Sequence, residues 1–246
     1  MALPARSDIV RRGETGVPDL HAARRDALWL DGAISAANSK SLEPLAPKHH
    51  HGAAVVLVDA FLDDPGWIAV GPRGTRARWR FIYRTCLGAI RVGARWCGPS
   101  WCILDSGEPV AVLTGCAPGL WPPPRMRALR YLSSGPVLAG PAPLIRSLGA
   151  QRVIEAAHPS QDHFLVWMFA VSPTHQRRGL GRRLMSEALG TADSDEVPAY
   201  LWTGNPDNLP YYRSHGFEVI GERLIPGGVP NWFMERAPGA DLYRSR

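Results

Sequence analysis

The chain has 246 residues, 45% of them apolar, and a formal net charge of +6. That length and apolar share allow one large domain or two small ones with a real core, and exclude a wholly disordered chain. Cys86, Cys97, Cys102 and Cys116 are too few for a disulfide framework, and Cys97 and Cys102 lack metal-ligand spacing, so no metal is expected. No apolar run approaches the ~18 residues a membrane span needs, and the acids among the first residues (Asp8, Glu14, Asp19, Asp26, Asp31) argue against a transit peptide. The expectation is a cytoplasmic protein with reduced thiols and no membrane partner.

In chain order, residues 1–41 are polar and without sustained periodicity, and read as a disordered extension. A globular domain is expected over 42–237 and a tail over 238–246. Lys48 to Leu62 has the apolar spacing of a helix (Ala54, Val55, Leu57, Val58, Phe61, Leu62) and stops at the turn Asp63-Asp64-Pro65-Gly66. The run His49-His50-His51 fans around that helix and cannot converge on one metal ion. Arg76 to Ala94 is a second helix. Arg76, Arg80, Arg84, Arg91 and Arg95 form one stripe, and Trp79, Ile82, Tyr83, Cys86 and Ile90 form another. No nucleic-acid motif accompanies the basic stripe, which reads as a solvated face rather than a nucleic-acid surface. Trp101–Leu104 and Val110–Thr114 flank Asp105-Ser106-Gly107-Glu108-Pro109 as a hairpin. Residues 124–158 carry helical pieces broken by Gly and Pro, and read as an insertion over the side where an acceptor would bind. His163 to Val171 is an almost wholly apolar strand, as expected of one covered on both faces. A helix over Arg177–Thr191, a strand over Ala199–Thr203, a short helix over Asn208–His215, and strands over Phe217–Ile225 and Asn231–Glu235 complete the order. The sum is an α/β fold with a mixed, mostly antiparallel central sheet and helices on both faces.

The stretch between that apolar strand and the next helix carries the most chemistry. Gln176-Arg177-Arg178-Gly179-Leu180-Gly181 is a basic, glycine-containing turn at a helix start. Free N–H groups there point outward with partial positive charge, which suits a phosphate. Gly179 and Gly181 leave room for an anion to approach the main chain. A GxG alone is a weak signal. The third glycine of a dinucleotide fingerprint is replaced by Leu184, and the Gly-Lys-Ser/Thr of a P-loop is missing.

Val171-x-Pro173-x-x-Gln176-x-x-Gly179-x-Gly181 resembles the acyl-CoA signature of the GNAT family of N-acetyltransferases. Downstream, Asn208-Leu209-Pro210-Tyr211-Tyr212-Arg213-Ser214-His215-Gly216-Phe217 is similar to the family's second signature. Residues 164–236 look closest to the puromycin N-acetyltransferase type. The resemblance implies an acyl-CoA N-acyltransferase fold and acetyl-CoA as acyl donor. It places the pyrophosphate on Gln176, Arg177, Arg178, Gly179, Leu180 and Gly181. It places the pantetheine arm along the main chain of Phe169, Ala170 and Val171, with a further hydrogen bond from Asn208. Tyr212, four residues before Gly216, stands where the family has its general acid. Asn208 could equally cap the helix at Leu209-Pro210.

Amine attack on a thioester also needs a place for the amine's proton. Many members of the family carry a Glu in the central strand; here that run is FLVWMFAV and has none. Asp63, Asp64, His163 and Glu235 are candidates. Trp67, Trp101, Trp121 and Trp202 are candidates for an apolar acceptor pocket, or for packing. The expected activity is transfer of acetyl to a primary amine of a small molecule, by a monomer or homodimer. The alternatives are a non-catalytic acyl-CoA-binding module and an acetyltransferase for protein or peptide amines.

Overall fold

The computed structural model describes residues 40–121 and 135–240. Seven strands form one sheet: β1 Ser41–Pro44, β2 Ser100–Asp105, β3 Glu108–Cys116, β4 Phe164–Val171, β5 Ala199–Thr203, β6 Glu218–Ile225 and β7 Val229–Arg236. Their order is β1-β2-β3-β4-β5-β7-β6, and every neighbouring pair is antiparallel except β4 with β5. The helices are α1 His50–Phe61, α2 Pro65–Val70, α3 Thr75–Trp96, α4 Pro141–Ala157, α5 Leu180–Ser194 and α6 Leu209–Arg213. The mixed, mostly antiparallel sheet is therefore as expected. None of the described helices is long and apolar enough to cross a membrane.

Strand alternation sorts the core into two layers. On one face, Cys102, Val112, Met168 and Ala170 pack under Leu57 of α1 and Ile82 and Ile90 of α3. On the other, Trp101, Ile103, Ala111 and Leu113 pack under Leu184, Met185, Ala188 and Leu189 of α5. Those α5 residues recur at helical spacing, so one stripe of that helix is buried while Arg182, Arg183 and Glu187 stay off it. On α3 the five stripe arginines are exposed, while Ile82, Cys86 and Ile90 are fully buried.

Two features of β4 shape the site. Its pairing with β5 covers only Phe164↔Ala199 and Leu165↔Tyr200. Beyond those pairs the two parallel strands diverge, and the β5-facing edge of β4 is left without a ladder. On the other side β4 pairs with β3, but Thr114 meets Met168 while Gly115 meets Val166. Trp167 is thus an extra residue, a bulge that bends β4 where the divergence begins.

Element boundaries depart from the sequence reading in instructive ways. The Asp63–Gly66 turn leads straight into α2, a helix absent from that reading; Asp64 is its N-cap and Pro65 its first residue. Helix α5 begins at Leu180 instead of Arg177, so the basic residues stay in the turn. The reading that residues 1–41 are disordered lies, for 1–39, outside the described residues, as do the first part of the expected insertion (124–134) and the end of the tail (241–246).

Candidate active site

The open edge of β4 is the first component. Ser172 N–H bonds Val110 O on β3. Alternation then commits the main-chain groups of Ala170 to β3 and turns those of Phe169 and Val171 toward the cleft. Of the three residues expected to meet the pantetheine arm, Phe169 and Val171 turn their backbone groups toward the cleft and Ala170 turns its own toward β3. The Val171 carbonyl accepts from Gln176 Nε2 at 3.3 Å, so Gln176 ties the following turn back to the strand.

The turn is the second component. Arg177, Arg178 and Gly179 are exposed, and both Arg177 (φ 59°) and Gly179 (φ 78°) are left-handed. Gly179 is the N-cap of α5 and makes no side-chain cap, so the first N–H groups of this 15-residue helix have no protein acceptor of that kind. The two glycines sit in different surroundings. Around Gly179 a Cβ would meet nothing within 4 Å, so the requirement there is conformational. At Gly181 a Cβ would lie 3.1 Å from the Tyr211 hydroxyl and 3.2 Å from Phe169 Cζ. The missing side chain at Gly181 therefore leaves room for the packed rings of Tyr211 and Phe169. Leu180 is buried in the core beneath α5.

The third component is α6. Tyr212 is 8% exposed and faces the cleft, whereas Tyr211 turns the other way, stacked on Phe169 at 5.6 Å. Burial, then the nearby Asp64 charge, pushes the Tyr212 phenol above its ordinary range. Asn208 makes no capping bond; its Nδ2 donates to Thr203 Oγ1 at 3.2 Å, and it also lines the cleft.

Between the diverging strands lies a cavity of about 200 Å³. Val166–Phe169 of β4 and Leu201–Thr203 of β5 form its sides, with Tyr212 and Asn208. Asp64 and Trp67 come from α2, Phe81 and Thr85 from α3, and Ser147, Ala150, Gln151 and Ile154 from α4. The buried Asn231 on β7 lines it as well, and its Nδ2 has no partner among the described residues. Burial raises the Asp64 pKa above the usual carboxylate value, although its bonds from Trp67 N–H and Gly66 N–H oppose this.

Of the four candidate proton acceptors, only Asp64 reaches this space. Asp63 is exposed and pairs with Arg78 at 3.7 Å. Glu235 accepts from Gln161 Nε2 at 3.0 Å, away from the cavity. His163 Nδ1 donates to Gln161 O at 2.7 Å, so its bare Nε2 receives the His158 Nε2–H at 2.8 Å. Burial, then His163, lowers the His158 pKa to about 4. Of the four tryptophans, Trp67 and Trp202 line the cavity. Trp101 belongs to the core under α5, and Trp121 packs behind the wall on Trp167 and Trp202.

Trp167 and Asn231 were missed from sequence. Trp167 reaches the cavity through the bulge, which no pattern announces. Asn231 lies in a strand whose neighbours, not its own surroundings in sequence, place it at the cleft. For Asp64 a signal was present but not used, since Asp-Pro marks a helix start.

A cleft between diverging parallel strands thus runs from a free helix start at one end to an enclosed pocket at the other. Residues 146–219 match the acetyltransferase (GNAT) domain family, a class whose acyl donor is acetyl-CoA. The fold is that of the acyl-CoA N-acyltransferases. A structure described as histone acetyltransferase HPA2 and related acetyltransferase, from Corynebacterium glutamicum, superposes with a TM-score of 0.57 at 20% identity, over 82% of this chain and 98% of that one. In sequence, an uncharacterized protein of Mycobacterium leprae is 34% identical over 99 residues, 40% of this chain and 25% of its own. N-alpha-acetyltransferase RimI of Mycobacterium tuberculosis is 37% identical over 81 residues, 33% of this chain and 46% of its own. The chain thus spans half or less of the length of these relatives. The comparisons support the general GNAT family and not the puromycin N-acetyltransferase type.

Proposed function

We propose that the protein is an acetyl-CoA-dependent N-acetyltransferase that acts on a primary amine of a small molecule by direct attack on the thioester. The observation that carries this is the unladdered edge of β4, running from an exposed helix start into the cavity. An extended pantetheine arm completes the edge as an added strand, through the main chain of Phe169 and Val171. The diphosphate sits on the α5 N–H groups, with Arg177 and Arg178 beside them. The residues present fit the donor: the turn is exposed and the edge is free.

A main-chain N–H on that edge steadies the oxyanion as the amine attacks. Tyr212 donates its phenolic proton to the sulfur as the C–S bond breaks. Its raised pKa keeps it protonated at neutral pH and makes the donation more uphill than from a free phenol. Its contribution is therefore a hydrogen bond that tightens as charge reaches the sulfur.

A second reading, acetylation of a peptide or protein amine, is favoured by the likeness to N-alpha-acetyltransferase RimI. The test is thiol release from acetyl-CoA across a panel of small amines and short peptides, with calorimetric titration of CoA. Tyr212→Phe is expected to bind CoA as the wild type does and to lose roughly 10²-fold in kcat. No heat with CoA, or no turnover of any amine by the wild type, removes the enzyme reading; binding without turnover leaves an acyl-CoA-binding module.

A further inference from the structure

Among the described residues, twenty-four line the cavity, and only two of those, Asp64 and Tyr212, carry titratable side chains. Much of the remaining wall is aromatic: Phe61, Trp67, Phe81, Trp167 and Trp202. Asp64 is held rigidly, because Gly66 N–H (2.9 Å) and Trp67 N–H (3.2 Å) both donate to its Oδ1. Oδ2 has no hydrogen bond among the described residues. The charged groups packed around α2 are committed elsewhere. Arg78 of α3 bonds Leu62 O and pairs with Asp63, and Arg146 of α4 bonds Val70 O and Gly71 O.

We propose that Asp64 takes the proton of the incoming amine, and that the cavity selects a primary amine carried on a small apolar or aromatic body. This rests on the acetyltransferase reading. An ammonium entering the cavity pairs with Oδ2 and gives up one proton to it, which passes to water. The neutral nitrogen attacks the thioester carbonyl carbon, forming the C–N bond. The second N–H proton leaves to the same carboxylate as the C–S bond breaks, and the thiolate takes the Tyr212 proton. Proton return from Asp64 to Tyr212 through water restores both, so one amide and one thiol are made and one proton is released. A carboxylate on the acceptor would be repelled by Asp64 and find no cation in the described lining. A cavity below the ~300–1,000 Å³ of drug-sized ligands suits one ring and a short arm.

The experiment uses the full chain, acetyl-CoA, and three acceptors: phenethylamine, phenylalanine and a short peptide with a free amino terminus. Phenethylamine is expected to exceed the other two by about tenfold or more in kcat/KM. Asp64→Asn preserves the cap, since Asn caps as well as Asp. It is expected to keep CoA binding and to lose about 10²-fold in kcat with phenethylamine. The wild-type rate should fall as the pH drops through the Asp64 titration, because the protonated carboxyl cannot accept; that limb should be missing in Asp64→Asn. If Asp64→Asn retains the rate and the pH profile while Asp64→Ala unfolds, Asp64 is a cap only and the proposal fails. Better use of phenylalanine or the peptide overturns the substrate class. A wild type inert toward every amine fails earlier, with the acetyltransferase reading itself.

Discussion

Removing the carboxylate of Asp193 on α5 should be one of the most costly single changes in this fold. Its partner, Arg236 at the end of β7, is 1% exposed. The guanidinium donates from Nη1 to Asp193 Oδ1 at 2.7 Å and from Nη2 to Oδ2 at 3.1 Å. Gly239 N–H adds a third bond to Oδ1 at 2.8 Å, so one carboxylate fastens the last strand and the segment after it to the helix. In Asp193→Ala the cation stays buried with only the Ala240 carbonyl, at 2.7 Å from Nη2. Breaking a buried pair costs ~3–5 kcal/mol. Because the Asp193 side chain is 33% exposed, the lower end, about 3 kcal/mol, is expected. For a domain of this size that is roughly 9 °C in Tm.

The assay is urea denaturation followed by tryptophan fluorescence at neutral and acid pH. Burial opposes ionisation of Asp193, but the hydrogen bonds from Arg236 and Gly239 outweigh it and hold the pKa below its usual value. The pair's stability is therefore complete above the unfolded carboxylate pKa of ~3.9 and is lost as the pH falls through the lower folded one. Wild type and variant should converge in acid. Asp193→Ala combined with Arg236→Met should recover most of the loss, because no buried charge is then left over. A loss under about 1 kcal/mol at neutral pH, or an equal loss in acid, would show that the pair is solvent-screened and the reasoning wrong.

Three further outcomes are expected. Gly181→Ala should cost ~1–2 kcal/mol, because its Cβ presses on Tyr211 and Phe169, and should weaken CoA binding in calorimetry by shifting the β4 edge. Unchanged affinity would separate that ring pair from the donor site. Neutral His158, packed against His163, should cost the fold stability as the pH falls from about 6.5 toward 4, where His158 titrates. A Tm profile flat over that range would refute the tautomers assigned. Tyr212→Phe should separate binding from turnover as described for the proposed function.

Most of the architecture was legible because it is written in local periods. The stripe on α3, the apolar run of β4 and the hairpin at Ser106-Gly107 follow from spacing and turn chemistry alone. The basic turn was readable for the same reason. What was not legible depends on contacts distant in sequence. Ala170 was grouped with Phe169 and Val171, but which of three neighbours faces the cleft is decided by strand register, through Ser172 and Val110. That Tyr211, thirty residues on, packs where a side chain at Gly181 would be is likewise invisible in the sequence. Trp101 and Trp67 looked alike in sequence; the first lies under α5 and the second lines the cavity. Asp64 could not be singled out from Asp63 without α2, whose first residues capture one of the two carboxylates.

The divergence of β4 from β5 has a consequence for how the molecule behaves alone. Only two residue pairs bridge the sheet's halves there, so backbone amides farther along β4 lack the protection a continuous ladder gives. Hydrogen exchange should be fastest at Phe169 and Val171 and should slow sharply when a donor fills the gap. Because the exposed groups lie in the middle of the sheet, flanked by both halves, a neighbouring molecule's strand cannot easily dock there. A gap flanked in this way leaves little room for a second sheet, so the protein keeps unpaired backbone groups without offering an open outer edge for aggregation.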